Sequence, residues 1–197
     1  MEAFTLNVPA AVALTDEQFY QLAIANEPWQ LELSGTGELS IMAPTGGESG
    51  IRNADLTTEL TLWNRKSKLG KVFDSSTEFK LPNGAYRCPD VAWVQLDRWQ
   101  ALTPEQRQKF PPICPDFVIE LRSESDSLSK LRQKMREYQH NGVRLAWLID
   151  PQTLLVEIYR QGHDQETLTF SMDNIPTLSG ETVLPGFVLE LALILNP

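Results

Sequence analysis

Cysteine and histidine are scarce in this chain of 197 residues, with two of each. Cys88 and Cys114 each stand directly before a proline and do not indicate a disulfide framework, so we expect a reducing compartment. No spacing of Cys and His predicts a zinc site. No apolar run approaches the roughly 20 residues that a membrane span needs. The first ten residues lack the basic and apolar segments of a secretory signal, so we expect a cytoplasmic protein without a membrane partner.

Basic residues are absent from both ends of the chain. All 17 Lys and Arg fall between Arg52 and Arg160, and the 14 acidic residues of that stretch leave it at +3. The flanks, 1–51 and 161–197, hold the other 12 of the 26 acidic residues and no base, so they carry -12. The net charge of -9 argues against a non-specific nucleic-acid binder. The middle of the chain is the part suited to face a polyanion.

With 42% hydrophobic and 22% charged residues, the chain has the composition of one globular domain spanning 1–197. We expect an N-terminal decoration over 1–45, with a helix at 15–25 that Thr15 caps and a β-hairpin of 31–33 and 38–42. A core follows over 46–160. Further strands are predicted over 161–197, including 187–193.

The core alternates helical and extended patterns. Leu56, Leu60 and Trp63 recur on one face of a helix from about Glu48 to Lys68, which Gly70 could end. The later predicted elements are strands 71–81, 86–96 and 116–123, a helix 125–141, and strands 143–150 and 154–160. The resulting order is helix, strand, strand, strand, helix, strand, which predicts a mixed α/β (α+β) fold.

Glu120 lies within the apolar segment Asp116–Ser123. In a strand, Val118, Glu120 and Arg122 share one face. A buried carboxylate is costly unless it is paired or binds a cation, so Glu120 is a candidate metal ligand. Arg122 would then occupy the lysine position of a Glu-x-Lys pair. The alternative is a simple ion pair at a sheet end.

A second carboxylate is needed to bind a divalent cation, and two near-identical segments offer one. Asp90 follows Arg-Cys-Pro, and Asp116 follows Ile-Cys-Pro. Asp116 is four residues from Glu120 on the same strand, a separation of about 13 Å, which is too far for one ion. Asp90 lies on another strand that pairing can bring opposite Glu120. We therefore predict Asp90 and Glu120 as the metal ligands and Asp116 as a strand-start residue.

Lys134 is the candidate for a positive group that stabilises charge on a phosphate. It shares a face of the predicted helix with Tyr138, beside Leu131 and Met135, and could reach over the sheet toward Glu120. The alternative is a surface lysine whose aliphatic stem covers the core.

Several motifs occur in a fixed order along the chain, and together they resemble the Uma-two family of endonucleases from about Leu31 onward. They are Pro89-Asp90-Val-Ala-Trp-Val, Pro115-Asp116-Phe-Val-Ile-Glu120, Lys134-Met-x-x-Tyr138, Asn141-Gly-Val-Arg-Leu-Ala-Trp147-Leu-Ile-Asp150-Pro and Val183-Leu-Pro-Gly-Phe187. The resemblance implies a restriction endonuclease-like core of order αβββαβ within the PD-(D/E)XK superfamily, with a mixed central sheet flanked by helices. It also implies metal binding by Asp90 and Glu120, with Lys134 as a signature lysine moved from the strand to the following helix.

The chain departs from the family pattern at a few positions. Arg122 stands where the signature has lysine, and an always-charged guanidinium is a poor proton shuttle. Asn53 stands nearest to a histidine that many members carry in the first helix. Related nucleases can add a glutamate from that helix, for which Glu59 is the candidate, although a solvated residue is the ordinary interpretation.

These observations predict an endonuclease that depends on Mg²⁺ or Mn²⁺ and hydrolyses phosphodiester bonds, with DNA as the substrate that the resemblance implies. The catalytic set is Asp90, Glu120, Lys134 and Arg122. One alternative is an inactive nuclease-fold module that binds nucleic acid or protein. Another is a different metal-dependent hydrolase on the same scaffold. A homodimer is compatible with cleavage of both strands of a duplex.

Overall fold

The computed structural model describes residues 4–42 and 44–195. Its helices are α1 (Asp16–Ala25), α2 (Gly47–Ser67), α3 (Leu96–Gln100), α4 (Pro104–Gln108), α5 (Leu128–His140) and α6 (Leu191–Leu195), with a 3-10 turn at Ala10–Val12. Its strands are β1 (Phe4–Asn7), β2 (Gln30–Leu33), β3 (Glu38–Met42), β4 (Gly70–Phe73), β5 (Phe79–Lys80), β6 (Tyr86–Arg87), β7 (Val91–Gln95), β8 (Phe117–Leu121), β9 (Leu145–Asp150), β10 (Leu155–Arg160), β11 (Glu166–Thr169), β12 (Thr177–Ser179) and β13 (Val188–Glu190).

The helix ends follow local chemistry. Thr15 caps α1 as predicted, because its hydroxyl accepts from the backbone N–H of Gln18 while the Gln18 side chain accepts from the Thr15 N–H. Helix α2 ends at Ser67, close to the predicted end at Lys68, but its C-cap is Lys68, which adopts a left-handed conformation with φ 58°, and not the Gly70 that the sequence offered as a stop. Gly70 instead opens β4, where a Cβ atom would lie 2.3 Å from the carbonyl oxygen of Val94. Close strand packing therefore explains that glycine.

A six-stranded central sheet has the order β11-β10-β9-β8-β7-β4. Strands β8 and β9 run parallel, joined by the crossover helix α5, and the other neighbours are antiparallel. The elements α2, β4, β7, β8, α5 and β9 give the expected order αβββαβ. The mixed α/β fold class is thus confirmed.

A second sheet, the N-terminal sheet, has the order β1-β3-β2-β6-β5. It includes the predicted hairpin of β2 and β3. The strands predicted over 71–81 and 86–96 were wrong in extent, since each is divided between the two sheets. Asp74 interrupts the first, because its Oδ1 accepts from the backbone N–H and the hydroxyl of Ser76 and closes a turn. Pro89 falls in the gap that divides the second, where a residue without an N–H suits a break in pairing.

The central sheet is buried on both faces. One face packs Phe117, Ile119 and Trp147 against Leu56 and Leu60 of α2. On the other face, Val118, Ala146 and Leu148 pack against Met135 and Tyr138 of α5. Because side chains alternate along β8, Glu120 belongs to the face that α5 covers.

The C-terminal segment differs from the strand predicted over 187–193. Strand β13 pairs with β12 along Val188–Glu190 and ends there, and α6 begins at Leu191. Leu191, Ile194 and Leu195 are buried at a spacing that suits one helix face. Among the described residues, no helix combines the length and the apolar character that crossing a bilayer requires.

Candidate active site

Asp90 and Glu120 lie opposite each other where β7 and β8 meet. Val91 pairs with Ile119 in the antiparallel register, so the next pair outward is Asp90 and Glu120. The carboxylate of Asp90 is fixed at both oxygens. Its Oδ2 accepts from the backbone N–H of Leu121 at 2.7 Å, and its Oδ1 accepts from the side-chain amide of Asn53 at 2.7 Å. Sheet pairing therefore brings together the two carboxylates that the sequence singled out.

Glu120 is buried, with an exposed fraction of 3%. Its Oε1 accepts from the Tyr138 hydroxyl at 3.0 Å and forms an ion pair with Lys134 Nζ at 2.8 Å. Burial raises the pKa of Glu120 to about 8, against the opposing effect of the Lys134 ammonium. Burial likewise raises the pKa of Asp90. Both carboxylates thus lie where a nearby cation would favour their ionised forms.

Lys134 reaches from α5 across the sheet to Glu120. Its Nζ lies 2.8 Å from Glu120 Oε1, 2.8 Å from Glu32 Oε1 and 3.0 Å from the carbonyl oxygen of Cys88. The ammonium thus has two carboxylate oxygens and one carbonyl oxygen around it, and it donates a hydrogen bond to the carbonyl. Burial acts to lower the pKa of Lys134, but Glu120 and Glu32 outweigh it and raise that pKa above its ordinary value. The side chain of Lys134 therefore stays protonated between the carboxylates of Glu120 and Glu32.

Arg122 has different partners from those expected. Its Nη1 donates to Asp150 Oδ2 at 2.8 Å, and its Nε donates to the carbonyl oxygen of Asp126 at 3.1 Å. Of the contacts among described residues, none joins Arg122 to Asp90, Glu120 or Lys134. The guanidinium instead links the end of β9 to the loop that follows β8.

Asp116 lies at the other end of β8 from Glu120. It is fully buried, its Oδ2 accepts from the backbone N–H of Gln95 at 2.8 Å, and the same oxygen forms an ion pair with Arg98 Nη1 at 2.9 Å. Asp116 therefore binds the Gln95 backbone and Arg98 at the end of β8 that lies away from Asp90, where its role is structural. The two Cys-Pro-Asp segments thus have different surroundings despite their similar sequences.

Glu32 is a site residue that the sequence reasoning missed. It comes from β2 of the N-terminal sheet, and its exposed fraction is 3%. Its Oε1 also accepts from the backbone N–H of Cys88 at 2.7 Å, and its Oε2 accepts from Arg87 at 3.0 Å. Burial acts to raise the pKa of Glu32, but Lys134 and Arg87 outweigh it and hold the pKa below its ordinary value. The signal was present in Leu31-Glu32-Leu33, a carboxylate within an apolar strand like Glu120.

Asn53 and Glu59 both lie on α2. Asn53, noted from the sequence only as the counterpart of a family histidine, contacts the site directly through Asp90. Glu59 is half-buried, and no hydrogen bond from it to the site residues occurs within the described parts of the chain. Helix α2, the first helix of the core, therefore contributes the amide of Asn53 to the site rather than a third carboxylate.

A further carboxyl group, Glu78, is buried close to this network. Its exposed fraction is 6%, and its Oε1 has no hydrogen-bond partner among the described residues. Burial raises the pKa of Glu78 to about 9, and the negative charge of Glu32 acts in the same direction. Glu78 is therefore neutral at physiological pH, which keeps another negative charge away from Glu32.

A cleft of about 720 Å³ leads to Lys134 between the β2–β3 hairpin and α5. Lys130 and Arg136 line it together with Lys134, while Glu38 and Asp126 are among the acidic residues on its walls. The cleft thus combines both signs of charge. Lys134 is the residue of the candidate site that contributes its side-chain amine to the wall of this cleft.

The residues present fit a hard divalent cation. Mg²⁺ is usually bound by one or two carboxylates, with waters and substrate phosphate completing its coordination, and Asp90 and Glu120 supply such a pair. Over residues 4–42 and 44–195, no group of three or more His, Cys, Asp or Glu side chains is arranged to hold a metal. The donor set therefore suits Mg²⁺ or Mn²⁺ better than zinc, which favours His and Cys ligands.

The architecture defines a nuclease-like α/β protein with a restriction endonuclease-like core. A crystal structure described as "a putative nuclease belonging to DUF820", from Anabaena variabilis, has a similar fold with a TM-score of 0.74. It is 16% identical in sequence, and the similarity covers 93% of this chain and 98% of that one. No curated protein sequence matches the chain significantly. Residues 16–192 match the Uma2 family, described as "Putative restriction endonuclease", and the chain belongs to that family.

Proposed function

We propose that this protein is a metal-dependent endonuclease that hydrolyses phosphodiester bonds in DNA. Asp90 and Glu120 would bind Mg²⁺ or Mn²⁺. The observation that carries the proposal is the convergence of these carboxylates with Lys134, whose Nζ is 2.8 Å from Glu120 Oε1. Membership of the Uma2 family supports the same reaction class.

Each residue of the site has a task in such a reaction. A divalent cation bound there would supply Lewis-acid stabilisation of charge on the phosphate. The ammonium of Lys134 would lie beside the scissile phosphate and stabilise the negative charge that develops there in the transition state. Tyr138 and Asn53 would hold Glu120 and Asp90 by hydrogen bonds of 3.0 and 2.7 Å, so that the ligands are positioned before substrate arrives.

Arg122 would act indirectly. Its guanidinium is engaged by Asp150 and by the carbonyl oxygen of Asp126, so it would order the loop that follows Glu120 rather than move a proton. This contribution is supported by its partners, and it predicts that Arg122 variants lose stability together with activity.

The test is cleavage of supercoiled plasmid DNA with Mg²⁺ or Mn²⁺, and with EDTA as the metal-free control. We expect D90N and E120Q to lose cleavage, because each replaces an ionised ligand by a neutral amide of the same shape. The matched control is D116N, which makes the same change after the same Cys-Pro pair but outside the site. Cleavage that survives both D90N and E120Q would rule out the assignment.

Calorimetry with Mn²⁺ separates the alternatives. An endonuclease binds the metal and cleaves DNA, whereas a non-catalytic module of the same fold would show no binding at millimolar Mn²⁺. Metal binding without DNA cleavage, combined with turnover of generic phosphodiester or phosphomonoester substrates, would indicate another hydrolase.

We further propose that the enzyme acts in the cytoplasm and as a homodimer on duplex DNA. Two active sites would cut the two strands. Light scattering at micromolar protein, with and without duplex, tests the dimer. A monomer under both conditions would contradict it.

A further inference from the structure

The carboxylate of Glu32 connects the N-terminal sheet to the proposed catalytic residues. It receives hydrogen bonds from the backbone N–H of Cys88 at 2.7 Å and from Arg87 at 3.0 Å, and it forms an ion pair with Lys134 at 2.8 Å. Both of its oxygens are used. Through Cys88 it fixes the segment two residues before Asp90, and through Lys134 it reaches the group that contacts Glu120.

We propose that Glu32 is a positioning residue of the active site, which holds the ammonium of Lys134 beside Glu120. The inference rests on the proposed function, since it assigns Glu32 a part in the same reaction. Lys134 has a flexible stem of four methylene groups, and a single carboxylate partner leaves such a side chain free to rotate. Glu32, the carbonyl of Cys88 and Glu120 approach it as three acceptors and fix its position.

Fold stability alone does not account for a glutamate at this position. Leu31 and Leu33 flank it in β2, all three residues are buried, and a well-packed apolar network is commonly as stable as a buried ion pair or more so. Removing only one member, however, leaves the others as uncompensated buried charges. The presence of a carboxylate at this position is explained by its ion pairs with two cations, Arg87 and Lys134.

The experiment compares E32Q with E157Q, both made in the full chain. Glu157 is a matched control because it is also buried and pairs with Arg132, another cation of α5. The readout is the labelling rate of Lys134 by an amine-reactive ester, measured by peptide mass spectrometry. Lys130, on the same helix with an exposed side-chain fraction of 58%, is the internal reference, against 11% for Lys134.

In E32Q we expect Lys134 to be labelled about tenfold faster or more, the factor that corresponds to the loss of a charge-assisted hydrogen bond. In E157Q the rate should stay at the wild-type value. An unchanged Lys134 rate in folded E32Q overturns the inference. An equal increase in E157Q does so too, since general loosening of α5 would then explain it.

Kinetics provide a second readout. If the wild type cleaves DNA, E32Q should lower kcat on the order of 100-fold with little change in KM, because Lys134 would be displaced from its productive position. E32D, which keeps the charge on a shorter side chain, should recover part of the loss, and no recovery would count against positioning by charge. Absence of cleavage by the wild type would refute the proposed function, while the labelling comparison would still decide the role of Glu32. If E32Q does not fold, E32D undergoes the same labelling test.

Discussion

Replacement of Glu78 by glutamine should stabilise the protein at alkaline pH and leave it nearly unchanged at acidic pH. The side chain is buried, its Oε1 has no hydrogen-bond partner among the described residues, and the negative charge of Glu32 lies nearby. Ionisation of Glu78 in the folded chain is therefore unfavourable. Glutamine keeps the shape of the side chain and carries no charge at any pH.

The size of the effect follows from proton linkage. Burial raises the pKa of Glu78 from 4.5 to about 9, so the folded chain binds this proton more tightly than the unfolded chain. The free energy of unfolding therefore falls as pH rises from about 4.5 to about 9. Each pH unit in that window is worth about 1.4 kcal/mol, so the fall between pH 5 and pH 8 is about 4 kcal/mol. The E78Q protein should lack this loss.

Urea unfolding of wild type and E78Q at pH 5 and pH 8, at one ionic strength, measures the difference. We expect the two proteins to agree within about 1 kcal/mol at pH 5 and to differ by about 4 kcal/mol at pH 8, with E78Q the more stable. E105Q is the control, since it removes the same charge from an exposed position on α4. A pH dependence of E78Q no different from that of E105Q would refute the reasoning.

Three further outcomes test the division between site and scaffold. D116A should lower the free energy of unfolding by about 1–3 kcal/mol, because the Gln95 N–H and Arg98 lose a buried acceptor, yet Mn²⁺ affinity by calorimetry should not change. Y138F should weaken Mn²⁺ binding at pH 7 more than at pH 9, because the Tyr138 hydroxyl stabilises the ionised form of Glu120 and the variant lacks it. An equal loss of Mn²⁺ affinity at both pH values would contradict this. R122A should lower stability by about 3 kcal/mol in urea unfolding, because buried Asp150 loses its ion-pair partner; wild-type stability would contradict the ion pair.

Much of the fold is predictable from local sequence patterns. Helices α1, α2 and α5, the β2–β3 hairpin and the succession β8, α5, β9, β10 each leave a periodic or turn signal within a short window. The division of residues 71–81 and 86–96 between two sheets leaves no such signal. Which sheet a strand joins depends on partners far away in the chain, such as Leu33 for Tyr86 and Val94 for Lys71.

The candidate site was predictable to a similar degree. Glu120 could be found because a carboxylate in an apolar strand needs a partner, and Asp90 because strand pairing could place it opposite. Glu32 carries the same signal as Glu120, but nothing local indicates that its hairpin packs beside α5. Arg122 lies one residue beyond the end of β8, where face alternation no longer determines direction, and it pairs with Asp150.

Cys88 shows how a position can be fixed in space without being fixed in side-chain chemistry. Its N–H donates to Glu32 and its carbonyl accepts from Lys134, so its two peptide groups make contacts that any residue with an amide hydrogen could supply. The thiol takes no part in those contacts. Alanine, serine or valine at this position would keep both hydrogen bonds, and proline alone among the common residues would remove the donor. The residue type at position 88 could therefore vary among related chains while its backbone continued to join the two sheets at the site, so sequence comparison alone would not identify this contact.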